Sequence, residues 1–146
     1  MRIGKLLLFL RIGFYTFYIP YLEKRNGLKE LFIILSKNGA PAVSARPLAK
    51  ADKKPYYYDK STIRRYVHAW MRIKGLFIAQ HCWSRTLLLY KFLKSAGYNV
   101  MIYTGIRKDS IDNISIIGHS WITIDGDVFD DRSDVAEAYY VTFSYP

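Results

Sequence analysis

The sequence is poor in cysteine, histidine and acidic residues. A single cysteine, Cys82, has no partner for an intrachain disulfide and excludes zinc or iron–sulfur frameworks built on several cysteines. Three histidines, His68, His81 and His119, are too few for a histidine-rich metal centre, and no metal or other cofactor is expected. Twelve Asp and Glu face 22 Lys and Arg, for a formal charge of +10. That surplus points to an anionic partner: nucleic acid, a membrane surface or an acidic polypeptide. With 51% hydrophobic and 16% aromatic residues the chain is not a disordered basic tail. Its 146 residues suffice for one domain with a core that needs no covalent staples. The scarcity of cysteine suits a cytoplasmic protein.

The charge is unevenly spread. Residues 1–60 carry twelve Lys/Arg and four Asp/Glu, and residues 61–146 carry ten and eight. The chain therefore divides into a basic, apolar helical segment, 1–60, expected to pack on or beside the core, and a nearly neutral core, 61–146. The boundary follows a stretch whose Ala40-Pro41, Arg46-Pro47 and Lys53-Lys54-Pro55 steps read as turn and extended chain.

Within the first segment, residues 6–10 and 12–22 are apolar runs split by Arg11. A basic start before an apolar run has the look of a signal peptide. Against that, Pro20 and then Glu23-Lys24-Arg25 follow without a small-residue cleavage site. An arginine near the middle of a spanning helix costs about 2.5–3.5 kcal/mol. The readings left are a helix on its own domain, on a partner or on a membrane surface, with insertion or secretion behind them. A second helix is expected over 27–35, stopped by Asn38-Gly39.

In the core, Asp59 or Ser61 can cap a helix whose apolar face is Ile63, Val67, Trp70 and Met71. His68, on or beside that face, reads as a packed or edge histidine. A further helix begins at Cys82, repeats its apolar positions at Leu88, Leu89, Phe92 and Leu93, and stops at Gly97. Strands follow over 99–106 and 114–124, joined by a polar loop over 107–113. Asp125-Gly126 is a two-residue hairpin signal, with a return strand over 127–131 and a fourth strand expected over 136–143. Helices followed by antiparallel strands make an α+β fold.

The order of three residue types suggests chemistry. Unpaired N–H groups and the macrodipole at a helix start favour negative charge, which suits a nucleophilic sulfur at Cys82. His81 and Arg85 add positive potential if they point towards it. The same helix start can offer N–H groups to an oxyanion. His119 on the second strand is the candidate base, and Asp130 or Asp131 on the return strand can orient it. A two-residue turn at Asp125-Gly126 pairs Trp121 with Asp130 and puts Asp130 on the face of His119.

This order resembles the transglutaminase-like cysteine peptidase fold. More narrowly, residues 60–132 are similar to the leader peptidase of lasso-peptide B proteins, of the microcin-processing type. The motifs that carry the likeness are Cys82-Trp83-Ser84-Arg85-Thr86-Leu87-Leu88-Leu89, Leu93, Gly97 and Thr104-Gly105-Ile106. They continue with His119-Ser120-Trp121-Ile122-Thr123-Ile124-Asp125-Gly126 and Asp130-Asp131. Trp83 stands where the family has a small aliphatic residue, and Ser120 where it has Ala. The family's spacing selects Asp131, and a bulge after Gly126 would bring it to the face of His119.

The resemblance implies a Cys82–His119–Asp131 triad that hydrolyses a peptide bond in a ribosomally made precursor, releasing its leader. It implies three partners: the precursor peptide, a separate leader-recognition protein, and an ATP-dependent macrolactam synthetase acting on the freed core. The chain reads as the split, stand-alone peptidase. The alternatives are another transglutaminase-fold acyltransferase or amidase, and a non-catalytic basic binding module. No nucleic-acid-binding motif is visible, so the basic excess is read as a docking surface for a partner, an acidic leader or a membrane face.

Overall fold

The structure is a computed structural model that describes residues 3–37, 58–75, 82–108 and 117–146. Helix α1 covers Ile3–Lys37 but divides at Gly27, whose φ of 75° and ψ of 170° leave the helical range. Glycine holds a positive φ without the Cβ clash other residues meet. The helix expected from residue 27 thus starts at a break in the backbone. Its expected stop, Asn38-Gly39, and the Pro-containing stretch after it lie outside the described residues. Pro20 sits inside the first half of α1 and has no N–H to give the carbonyl of Thr16. The Thr16 hydroxyl in turn donates to the Ile12 carbonyl at 2.8 Å.

Helix α2 covers Lys60–Gly75. Of its two candidate caps, Asp59 is the one used: its carbonyl accepts the N–H groups of Thr62 and Ile63 at 3.0 and 3.2 Å. The Ser61 hydroxyl donates to its carboxylate. That bond, followed by the N–H groups of Thr62 and Ser61, holds Asp59 below the usual carboxylate range. Ile63, Val67 and Met71 are buried, as their spacing predicts. Trp70 lies at the edge of that face and faces α1, donating its indole N–H to the Phe9 carbonyl at 2.8 Å. A Cβ on Gly13 would come within 2.4 Å of the Trp70 ring, so the absence of a side chain there lets the two helices close.

Helix α3, Cys82–Ser95, is the central element: α1 and α2 pack on it, and it packs on the sheet. Leu87, Leu88, Leu89 and Leu93 are each 0–1% exposed. Its end is a Schellman motif, with Tyr98 N–H bonded to the Leu93 carbonyl, Gly97 N–H to that of Lys94, and Gly97 at φ 91°.

The sheet has the order β3-β2-β1-β4, all neighbours antiparallel: β1 Val100–Arg107, β2 Gly118–Ile124, β3 Asp127–Phe129 and β4 Tyr139–Tyr145. The part of the expected second strand before residue 117, and most of the polar loop, lie outside the described residues. Asp125 and Gly126 have φ of 54° and 93°, the two positive values of a type I′ turn, and Ile124 pairs Asp127 across it. The fourth strand starts later than expected: Val135–Ala138 forms one helical turn, α4, before β4 begins. Good helix formers, Ala136, Glu137 and Ala138, lie there beside Asp134, whose carbonyl accepts two of their N–H groups.

Val100, Ile102, Ile122 and Ile124 belong to the main core with α3. Trp121, 2% exposed, stacks instead on Tyr103 and meets a tilted Tyr139 ring, with centroids 5.7 and 5.9 Å away. The β1–β4 register shifts between Thr104 and Gly105, where a Cβ on Gly105 would meet the Tyr140 carbonyl at 2.6 Å.

Candidate active site

Cys82 is the first residue of α3 and is a free, half-buried thiol. One turn on, the Thr86 hydroxyl donates to the Ser120 carbonyl at 3.0 Å and lies 3.3 Å from the Ser120 hydroxyl. Both residues are buried, at 1% and 2% exposed. Thr86 thus fastens the cysteine end of α3 to the strand that carries His119, chiefly through the Ser120 backbone.

His119 pairs Gly105 across β1 and β2. Its ring lies between aromatic neighbours, 5.3 Å from Tyr139 and 6.3 Å from Trp121. Its Nε2 is 2.7 Å from Oδ2 of Asp131, so Nδ1 is the ring nitrogen that remains for proton transfer. The second Asp131 oxygen accepts the Arg132 N–H at 2.9 Å. Arg85, one turn from Cys82, donates to Asp131 at 3.1 Å and lies 3.8 Å from Asp130. Its charge is therefore engaged with the aspartates, the condition for its adding positive potential at the sulfur being that it point there instead. His81 lies outside the described residues. No hydrogen bond joins the Cys82 sulfur to His119 or Asp131. Catalytic contacts of this kind are often long before substrate binds.

The two neighbouring aspartates part company. Ile122 pairs Phe129 with no register shift, so no bulge follows Gly126. The device is one residue further on: Asp130 has φ 63°, ends the strand and turns the next residue towards His119. Aspartate is one of the few residues that tolerate this conformation. The Asp130 side chain, 2% exposed, accepts from Arg64 at 2.5 Å and sits 2.8 Å from His68 Nε2 through both oxygens.

His68 is predicted from the sequence to take a packed or edge position. It is 36% exposed and held by Asp130, so the site contains a second His–Asp pair beside the first. Its spacing from Arg64 put both on one side of α2, but nothing in the sequence tied that side to a residue 62 positions away.

Trp83, the residue after Cys82, lines an open apolar cavity of about 700 Å³, bordered also among the described residues by Phe32, Phe143 and Tyr145. Its indole N–H donates to Glu23 on α1 at 3.1 Å. Glu23 also faces Lys74, which burial holds below its ordinary value and the Glu23 charge partly restores. Among the described residues, no group of three or more His, Cys, Asp or Glu is arranged to hold a metal ion.

A half-buried thiol on the first turn of the central helix, a strand-borne histidine and an aspartate beyond a hairpin follow one another along an α+β scaffold. A family model described as transglutaminase-like superfamily matches residues 29–144, and the chain belongs to that superfamily. Neither the curated proteins nor the solved structures contain a match to it. The superfamily fold carries cysteine peptidase and acyl-transfer chemistry.

Proposed function

We propose that the chain is a cysteine peptidase that removes the leader from a ribosomally made precursor during lasso-peptide maturation. The observation that carries this reading is the His119–Asp131 pair at 2.7 Å, linked through Arg85 to the helix that starts at Cys82. In the proposed reaction His119 takes the Cys82 proton on Nδ1 as the sulfur bonds to the scissile carbonyl carbon. Asp131 holds the ring and balances the imidazolium. N–H groups at the start of α3 steady the oxyanion. Collapse of the adduct breaks the C–N bond, and His119 returns the proton to the leaving amine. Water, deprotonated by His119, then releases the leader carboxylate and the thiol. The cavity beside Trp83 suits an apolar side chain of the peptide.

The proposed setting is the cytoplasm. Its partners there are the precursor, a separate leader-recognition protein and an ATP-dependent macrolactam synthetase that uses the freed amine. The test is incubation with precursor and recognition protein, read by mass spectrometry. Hydrolysis gives two fragments whose masses sum to precursor plus one water. Cys82→Ala and His119→Ala are expected to stop cleavage with unfolding unchanged. Cleavage at the original rate by Cys82→Ala sinks the reading. A product that carries an acceptor amine assigns acyl transfer instead.

A further inference from the structure

Helix α1 is apolar on both sides. Leu8, Ile12 and Ile19 face the core and are 0–4% exposed. On the opposite side Ile3, Leu7, Leu10, Phe14, Phe17 and Tyr21 recur every three or four residues and are 47–79% exposed. At 1.5 Å per residue this stripe runs about 27 Å without a charge on its crest. A helix that is apolar all round is ordinarily covered on all sides, and exposed apolar patches of this extent mark interaction surfaces.

Charge identifies what covers it. Arg11 flanks the stripe, and Lys24 and Arg25 continue its side one turn past Tyr21; all three are exposed. The Arg25 guanidinium donates to the Tyr21 hydroxyl at 3.3 Å. No acidic residue occurs before Glu23, and Glu23 is turned inwards to Trp83. The face is therefore apolar with a purely basic border, on a chain of net charge +10 that repels its own copies. From this we infer that the outer side of α1 docks on an anionic lipid bilayer surface. Phenylalanine and leucine enter the acyl boundary, tyrosine sits at headgroup level, and the basic border meets the lipid phosphates.

The helix lies in the plane of the membrane. Residues Ile3–Arg25 are long and apolar enough to span one, but the inner side is fastened to the domain. Tyr58 donates to the Gly4 carbonyl at 3.0 Å, and Trp70 to that of Phe9 at 2.8 Å. Spanning would strip Leu8, Ile12 and Ile19 out of the core.

The experiment is flotation of the full chain with phosphatidylcholine vesicles, with and without phosphatidylglycerol. Leu10→Gln/Phe14→Gln/Phe17→Gln and Lys24→Glu/Arg25→Glu serve as variants, each with its thermal unfolding recorded. Expected are flotation with the anionic vesicles only, its loss in high salt, and at least tenfold weaker binding by each variant at unchanged unfolding temperature. Failure of the unaltered protein to float overturns the inference, as does equal binding to uncharged vesicles. Flotation of the triple variant like the parent overturns it too. So does resistance to alkaline extraction, which assigns a spanning helix. A dimer in sedimentation that the triple variant abolishes, without flotation, assigns the stripe to a second copy and overturns the lipid assignment.

Discussion

Asp130 and Asp131 are adjacent, yet Asp130 holds His68 on α2 while Asp131 holds His119 on β2. The positive φ of Asp130 separates them. Asp131→Asn is expected to keep the fold and lower turnover on the order of 10²–10⁴-fold, the usual contribution of acid–base catalysis. Asp130→Asn leaves Arg64, His68 and Arg85 around a neutral amide. It should lower stability by about 1–3 kcal/mol with a smaller effect on turnover. Denaturant unfolding and a cleavage assay on both variants check this, and the reverse pattern would make Asp130 the partner of the base.

Thr86 ties the Cys82 end of α3 to the backbone of β2. Thr86→Val removes the hydroxyl that reaches Ser120 and is expected to cost about 0.5–1.5 kcal/mol in unfolding free energy. Turnover should fall further than that loss implies, because the start of α3 gains freedom relative to His119. Thr86→Ser, which keeps the donor, should restore both. Turnover unchanged in the valine variant would confine Thr86 to stability.

Gly13 is where α1 and α2 come closest. Alanine is the better helix former by about 1 kcal/mol, but its methyl would lie 2.4 Å from the Trp70 ring. Overpacking of this kind costs about 1–3 kcal/mol, so Gly13→Ala should be destabilising. In a Trp70→Leu background the same change should become neutral or stabilising. The double-mutant cycle in urea measures that coupling.

Lys91 is 1% exposed, has no hydrogen-bond partner at Nζ among the described residues, and lies over the Tyr15 ring at 4.4 Å. Burial, with the charge of Arg11 adding to it, pushes its amine down to about 8 from 10.5. Between those two values the unfolded chain holds a proton that the folded chain has lost. This group's contribution to stability therefore rises with pH through that window, and its penalty is in full force below it. Lys91→Met should be more stable than the parent at neutral pH, by about 1–3 kcal/mol. The gap should close as pH approaches 10.5. Urea unfolding of both proteins across that range checks the sign.

Much of the scaffold was legible because local rules decide it. The Asp59 cap, the Gly97 stop and the Asp125-Gly126 turn each depend on a few neighbouring residues. The spacing of Ile63, Val67 and Met71 marked a buried face without reference to what buries it. Strand is expected from residue 136, but Val135–Ala138 is one helical turn, where alanine and glutamate outweigh the pull of the strand that follows. The bulge expected after Gly126 is absent for a different reason. It presupposes a return strand running to residue 131, whereas the strand ends at Phe129 and a single positive φ does the reorienting.

By itself the sequence determined the helices, the hairpin, the α+β class and the identity of Cys82, His119 and Asp131 as candidates. Helical and strand periodicities are short-range, and the order of residue types along the chain needs no coordinates. Tertiary structure alone decided which aspartate meets which histidine, that Arg85 bridges them, and that His68 joins the cluster. Those contacts link residues 12 to 66 positions apart, and only the packing of α2, α3 and β2 brings them within hydrogen-bond reach. The same packing buries one side of α1 and leaves its other apolar side facing out, a distinction that a run of uniformly apolar residues does not encode.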